Sequence, residues 1–371
     1  MKRISLLAAC VAALMAVPCL ADSDKPDPKV QIAILIDTSS SMDGLINQTR
    51  EQLWRIVNTF ATAKRDGKRA KLELALYEYG NDSLPAGNDY VRRVVPLTTD
   101  LDKVSEALFK LQTNGGEEYC GAVIKHAMKE LEWSSRAGDL KLIYIAGNEP
   151  FTQGPVPFQT SVKAAIERGI VVNTIHAGTE QEGISGQWMA AAKLADGNYL
   201  FIDQNRAVAR VDAPQDAQLA VLSAKMNKTY IAYGAGGKAA EARQEAQDRN
   251  AQGMSAGAAS TRAAAKASAM YDNSGWDLVD AKKKGESIAD MPAAALPAEM
   301  QKMDAKQREA FVAEKAKERA EIQAEIAKLS KERDEFVQNE LKKRAKDGSK
   351  TMDDALLESA RGQAEKANYT F

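Results

Sequence analysis

The feature that most constrains this chain is the largely apolar run Val30–Ile36, which is followed at once by Asp37-Thr38-Ser39-Ser40-Ser41. Such a run is typical of a strand covered on both faces of a parallel sheet. In open α/β sheets, ligands bind in a crevice at the carboxyl ends of the strands. The loop would bring the side-chain oxygens of Asp37, Ser39 and Ser41 to that crevice. Oxygen ligands suit a hard cation such as Mg²⁺, so we predict a binding site here before a catalytic one.

Strand and helix patterns alternate from this run to about residue 205. The predicted strands are Val30–Ile36, Leu72–Tyr77, Tyr90–Leu97, Leu140–Ala146, Ile170–Ile175 and Tyr199–Ile202. Alternating leucines make the second of them a half-buried strand, and the third is predicted at an edge, where an antiparallel direction is an option. Helices between parallel strands give right-handed crossovers. The predicted fold class is therefore α/β, with a doubly wound, mostly parallel, Rossmann-like sheet.

The first residues predict export. A basic start, an apolar segment too short to cross a bilayer and small residues before Ala21 are typical of a secretory signal at 1–21. Cys19 offers a lipoprotein alternative, which Pro18 disfavours. No later stretch is long and apolar enough for a membrane helix, so we expect a periplasmic or secreted chain without an integral membrane segment.

Charge and cysteine usage exclude several classes. Lys and Arg total 50 against 51 Asp and Glu, which argues against nucleic acid as a partner, because phosphate binding needs a basic excess. Once the signal is removed, Cys120 is the only thiol, and a packed core position suits it best. The two histidines, His126 and His176, form no zinc-binding pattern with cysteines.

The second half of the chain, which is rich in Ala, Lys and Glu, has a different character. We divide the mature chain into an α/β domain (22–212), a helical linker region with an apolar island around Trp276 (213–297), a long charged helix (298–347) and a loosely ordered tail (348–371). The long helix is predicted over Glu299–Lys346. Its apolar spacing is that of a coiled-coil seam, interrupted by Lys315, Arg319 and Arg333. Intramolecular packing, a solvated arm and self-association all remain open.

Three motifs resemble the von Willebrand factor type A domain: Asp37-x-Ser39-x-Ser41 after the first strand, the Gly115-Gly116 turn before a helix, and the loop Gly147-Asn148-Glu149-Pro150 after a later strand. The resemblance covers roughly Lys29 to Arg210. It implies a metal-ion-dependent adhesion site in which Ser39 and Ser41 bind a cation directly and Asp37 binds it through water. It also implies a protein partner that adds a carboxylate of its own.

Two positions depart from the family's pattern. Glu117 stands where a threonine is usual, and Gly147 stands where an aspartate is usual. Glu117 could replace the threonine, and Asn148 or Glu149 could replace the aspartate. The predicted metal ligands are therefore Asp37, Ser39, Ser41, Glu117 and Asn148, and the predicted ion is Mg²⁺ or, with the extra carboxylate, Ca²⁺. The alternative is a loop that binds no metal and caps the first helix.

These observations predict an exported, non-enzymatic protein that binds a protein partner, with self-association through the C-terminal helix as a further option. A metal-assisted hydrolase is one alternative, although no motif supplies a positioned base. A helper in the assembly of an envelope complex, or in metal delivery to it, is another.

Overall fold

A computed structural model describes residues 26–202, 211–344 and 352–371. The predicted signal at 1–21 and the lipoprotein alternative at Cys19 lie outside these residues. Among the helices described, none combines the length and the apolar character that a bilayer crossing requires.

The central element is a six-stranded sheet. Its strands are β1 (Lys29–Asp37), β4 (Lys71–Tyr79), β5 (Val91–Thr98), β6 (Leu140–Gly147), β7 (Ile170–Ala177) and β8 (Tyr199–Ile202), and a separate short hairpin consists of β2 (Lys64–Arg65) and β3 (Lys68–Arg69). The order across the sheet is β5-β4-β1-β6-β7-β8. All neighbours are parallel except β4 and β5, so β5 is an antiparallel edge strand. This confirms the predicted fold class.

The central strand β1 is buried on both faces. Ile32, Ile34 and Ile36 pack into one apolar cluster, whereas Ala33 and Leu35 pack into the other. The run is apolar throughout because both faces are covered. The prediction that the second strand is half-buried is wrong, since β4 lies beside β1 and is buried from residue 74 to its end. The alternation of leucines with Glu73, Ala75 and Tyr77 had suggested a solvent-facing side.

Helices cover both faces of the sheet. They are α1 (Asp43–Phe60), α2 (Leu101–Lys110), α3 (Cys120–Glu130), α4 (Phe158–Glu167), α5 (Glu180–Ser185) and α6 (Trp188–Leu194). Side chains of α1 and α2 belong to the first apolar cluster, and those of α3, α4 and α6 belong to the second. The two layers leave the carboxyl ends of the strands free at one edge.

The second half of the chain is helical and packs on the first. Its helices are α7 (Asp216–Asn227), α8 (Gly237–Met254), α9 (Ala256–Ala267), α10 (Leu278–Lys283), α11 (Ala305–Arg344) and α12 (Met352–Lys366). Helix α9 contacts α1, α8 contacts α2, and α7, α9 and α11 contact one another. In the Trp276 island, the Trp276 ring stacks on Tyr230 at 5.5 Å.

A buried arginine links the helical region to the sheet domain. Arg262 of α9 is 1% exposed. Its guanidinium donates to Asp102 of α2 at 2.8 Å and to Asp248 of α8 at 2.6 Å, and it lies over the Trp54 ring of α1 at 4.5 Å. A charge can be buried at acceptable cost only when it is paired and hydrogen-bonded, and here both requirements are met.

Helix α11 packs within the chain along its apolar stripe. It has 40 residues, about 60 Å at 1.5 Å per residue. Ile322, Ile326 and Leu329 are buried in the first apolar cluster, so the predicted coiled-coil seam is filled by the chain itself. Two of the residues that interrupt the seam are anchors: Arg319 donates to Asp277 at 2.7 Å, and Arg333 donates to Asp216 at 2.6 Å.

The prediction of a loosely ordered tail does not hold over residues 352–371. Leu356, Ala360 and Ala364 are buried in the first apolar cluster, where α12 contacts α1 and β8. Gln363 and Asn173 of β7 exchange two hydrogen bonds, of 2.6 and 3.1 Å. Helix α12 needs only a narrow stripe of mostly small residues to pack against α1 and β8. Its remaining side chains are polar, and the sequence of the segment is therefore polar on average.

We expect Arg262→Ala to lower the free energy of unfolding by about 3–5 kcal/mol, because it leaves the buried Asp102 without its arginine and the half-buried Asp248 with Lys266 alone. Urea denaturation followed by circular dichroism measures the change. The matched control is Arg249→Ala on the same region, whose exposed pair with Glu245 is 3.8 Å apart; a change within about 0.5 kcal/mol is expected there. Equal effects of the two substitutions would contradict a specific role for the buried arginine.

We expect Leu356→Ala to lower the free energy of unfolding by about 2–5 kcal/mol, the usual cost of removing a buried leucine side chain. Glu365→Ala, on the exposed side of α12, should be nearly neutral. The same denaturation experiment measures both. A neutral Leu356→Ala variant would show that α12 does not contribute to the folded core.

Candidate metal centre

The loop after β1 is fixed by backbone hydrogen bonds. The Thr38 N–H donates to the Tyr79 carbonyl at 2.9 Å, and the Asn114 N–H donates to the Thr38 carbonyl at 3.0 Å. Ser40 and Gly115 form two further bonds, both of 2.8 Å, one between backbones and one from the Gly115 N–H to the Ser40 hydroxyl. These bonds join the 38–40 loop to the 114–115 loop, and they therefore fix the position of Ser39.

Asp37 and Ser39 lie buried at the end of the strand, 0% and 2% exposed. The Asp37 Oδ1 atom accepts the Ser39 N–H at 2.7 Å. The Asp37 Oδ2 atom and the Ser39 hydroxyl have no hydrogen-bond partner. Burial raises the pKa of Asp37, and the Ser39 N–H offsets part of that effect. The carboxylate thus lacks the partners that its ionised form requires.

Of the two neighbouring glutamates, the structure brings Glu118 to this place and not Glu117. Glu117 is exposed, and its carboxylate accepts a hydrogen bond from the Tyr119 hydroxyl at 3.0 Å. Glu118 is 5% exposed, and its Oε2 atom has no hydrogen-bond partner. Burial, followed by the proximity of Asp37, raises the pKa of Glu118. The structure thus places Glu118, and not the predicted Glu117, beside Asp37.

Two glycines make room for the Glu118 side chain. Gly80 has a φ of +76°, and a Cβ atom there would lie 2.7 Å from Glu118 Cγ and 2.8 Å from Asp37 Oδ1. At Gly116 a Cβ atom would lie 2.7 Å from Glu118 Oε1 and 2.9 Å from Ser39 Cβ. Real Cβ atoms essentially never make contacts this short, so a side chain at either position would displace Glu118, and the positive φ of Gly80 favours glycine there in any case. The side chain of Glu118 consequently lies close to both Asp37 and Ser39.

The loop after β6 supplies a polar group at the solvent side. Asn148 is half-buried; its Nδ2 atom donates to the exposed Ser41 hydroxyl at 3.3 Å, and its Oδ1 atom has no partner. Glu149 is exposed, and its backbone carbonyl accepts the Trp188 indole N–H at 2.9 Å. Asn148 and Ser41 are thus brought together as predicted residues of one site, and Asn148 is the better placed of the two alternatives.

A side chain at Gly147 is excluded by Tyr79. A Cβ atom at Gly147 would lie 2.5 Å from the Tyr79 hydroxyl oxygen and 3.1 Å from Asp37 Oδ2. The Tyr79 hydroxyl is held there by donating to the Ala146 carbonyl at 3.0 Å. Sequence reasoning identified the missing aspartate at this position but not the tyrosine that fills its space.

The donor set fits a hard divalent cation. Four buried oxygens at this edge have no hydrogen-bond partner, and unpaired buried polar atoms are costly. They are Asp37 Oδ2, Ser39 Oγ, Glu118 Oε2 and Asn148 Oδ1. Carboxylate, hydroxyl and amide oxygens are the ligands of Mg²⁺ and Ca²⁺. Within the described ranges, no three His, Cys, Asp or Glu side chains form a metal-binding group, so the site depends on neutral oxygens as well as acids.

The other candidate residues lie in structural surroundings. Cys120 is buried, and burial raises the pKa of its thiol. His176 is buried with its ring 5.6 Å from Trp188, and burial lowers its pKa. His126 bonds to Asp89 and Glu130 on the other side of α3. None of the three contacts the cluster of unpaired oxygens directly.

Comparison with known proteins gives a family match for the first half of the chain. Residues 31–206 match the sequence model of the von Willebrand factor type A domain. The full sequence has no significant match among curated proteins.

Solved structures with a similar arrangement have low identity to this chain. The conserved hypothetical protein BatB from Bacteroides thetaiotaomicron is 17% identical, with a TM-score of 0.36, and the alignment covers 52% of this chain and 95% of BatB. A von Willebrand factor type A protein from Catenulispora acidiphila is 16% identical, with a TM-score of 0.36 and coverage of 47% and 39%. Proximal thread matrix protein 1 from the mussel byssus, with a zinc-occupied MIDAS motif, is 16% identical, with a TM-score of 0.36 and coverage of 49% and 43%.

The chain spans less than half of the last two proteins. Residues 207–371 lie outside the family match. The similarity to the von Willebrand factor type A domain is therefore confined to residues 31–206.

Proposed function

We propose that this protein is an exported, non-enzymatic binding protein that captures a protein partner at the carboxyl ends of β1 and β6. The capture depends on a divalent cation, Mg²⁺ or Ca²⁺, with Asp37, Ser39, Ser41 and Asn148 among its ligands. The observation that carries the proposal is the set of buried oxygens at this edge that have no hydrogen-bond partner.

The arrangement of burial supports access by a partner. Asp37 and Ser39 lie at the base of the site, whereas Ser41 is exposed and Asn148 is half-buried. Mg²⁺ retains some water when protein oxygens bind it, and Ca²⁺ accepts six to eight oxygens. Exchangeable positions on the side of Ser41 could therefore take an oxygen from a partner. The family resemblance makes an acidic side chain the expected group.

The surroundings favour binding over catalysis. A hydrolytic enzyme needs a positioned base or a reactive nucleophile. The thiol of Cys120 is buried with a raised pKa, which opposes formation of a thiolate. His176 is buried against Trp188, with a lowered pKa. Export rests on the predicted signal at 1–21, with Cys19 as the lipoprotein alternative.

The first test measures cation binding by the protein alone. Isothermal titration calorimetry with Mg²⁺, Ca²⁺ or Mn²⁺ should detect one site in the wild type and none in a Ser39→Ala/Ser41→Ala double variant, which lacks two oxygen ligands. Ser287→Ala, an exposed serine in the helical region, is the matched control and should bind like the wild type. Failure of all three cations to bind the wild type would rule out the site.

The second test separates partner capture from folding. In pull-downs from envelope extracts, EDTA and the Ser39→Ala/Ser41→Ala variant should both abolish metal-dependent capture. An ion present at its dissociation constant adds only about 0.4 kcal/mol to stability, so EDTA should lower the melting temperature only slightly. Capture that continues unchanged in EDTA would place the partner surface elsewhere.

A further inference from the structure

We propose that Glu118 supplies the second carboxylate of this cation site, in place of the acid that Gly147 cannot carry. Together with Asp37 it gives the site two negative charges, which match one divalent cation. The chain itself would then hold the ion before any partner arrives. This inference rests on the proposed function, since it concerns the same site.

The first step is the absence of a positive partner for these two acids. In the described part of the chain, each other buried carboxylate lies within ion-pair distance of an arginine. These pairs are Glu78–Arg92, Asp102–Arg262, Asp139–Arg136, Asp216–Arg333 and Asp277–Arg319. Asp37 and Glu118 form no such pair among the described residues. Buried charges are normally paired or bound to metal, so these two adjacent acids can both be ionised only with a cation beside them.

The second step is the position of the Glu118 carboxylate. The Gly80 and Gly116 positions place it against both Asp37 and Ser39. Its backbone is held on both sides: the Glu118 N–H donates to the Gln153 side chain at 3.1 Å, and its carbonyl accepts the Cys120 N–H at 3.1 Å. The side chain therefore leads directly into the space that contains the unpaired oxygens.

The third step excludes the alternative source of a second acid. The end of β6 cannot supply one, because the Tyr79 hydroxyl occupies the space beside Gly147. Glu117 is exposed and accepts a hydrogen bond from the Tyr119 hydroxyl. Glu149 is also exposed, and its negative charge acts on Asp37 and Glu118 from the solvent side. Ser39 Oγ and Asn148 Oδ1, also unpaired, complete a set of two carboxylate oxygens and two neutral oxygens. Such a set suits Ca²⁺, Mn²⁺ or Mg²⁺ rather than a thiolate-preferring metal.

The test compares two neighbouring substitutions with identical chemistry. Calorimetry with Ca²⁺, Mn²⁺ and Mg²⁺, without any partner, is carried out on the wild type, Glu118→Gln and Glu117→Gln. Loss of even an outer-shell partner weakens metal binding by about 10–100-fold. Glu118→Gln, which replaces a charged carboxylate ligand by a neutral amide, should weaken binding at least about tenfold, whereas Glu117→Gln should leave the affinity unchanged.

Melting temperatures show whether the variant folds. In EDTA, Glu118→Gln should melt at the wild-type temperature or above it, because it removes one of two adjacent buried acids. The increase in melting temperature that the metal causes in the wild type should be absent. Equal affinities of the wild type and Glu118→Gln, or a loss confined to Glu117→Gln, would overturn the role of Glu118 and leave the proposed site standing. Absence of binding to the wild type would overturn both.

Discussion

Two carboxylates buried side by side without an arginine set the conditions for the whole edge of the sheet. Asp37 is carried there by the central strand, which is fixed because both its faces are covered. Burying a charge without a partner is costly, so the surrounding sequence must accommodate the pair and the cation that we propose for it. Gly80 and Gly116 remove the side chains that would collide with Glu118, and the bonded 38–40 and 114–115 loops hold Ser39 beside it. The glycines are therefore part of the site, although they contribute no ligand.

The opposite solution, a buried aspartate paired with an arginine, is used within the second half of the chain and at one of its contacts with the first half. Arg262, Arg319 and Arg333 each reach a buried aspartate from a helix of the second half. Forming a buried ion pair adds little net free energy to folding, whereas removing one partner leaves an uncompensated buried charge and is strongly destabilising. Such contacts therefore specify how the helices are arranged more than they add stability. The chain then returns to the first half, where α12 packs on α1 and β8. Strand β8 and helix α12 are neighbours in the fold, but helices α7 to α11 separate them in sequence.

Sequence patterns predicted the parts that depend on periodic burial. The run Val30–Ile36 identified the central strand, and its abrupt end identified Asp37, Ser39 and Ser41. The choice between Glu117 and Glu118 could not be made, because it depends on the path of the turn before α3 and on room left by a glycine far away in sequence. The arginines of α11 were read as interruptions for a similar reason: their aspartate partners lie 42 and 117 residues away. Small residues such as Ala360 and Ala364 gave no apolar signal for α12.

The number of acids in the site bears on how it would meet a partner. If Asp37 and Glu118 both bind a divalent cation, its charge is balanced within the chain, and its attraction for a further carboxylate is weaker than in a site with one acid. Recognition would then depend more on geometry than on charge. The exposed Ser41 hydroxyl and the half-buried Asn148 amide border the open side of the site, and they are bonded to each other at 3.3 Å. A partner that brings an oxygen to the ion must fit beside this pair or separate it. Selectivity among acidic partners would consequently arise from the two neutral residues at the entrance, while the two buried acids determine whether the ion is present at all.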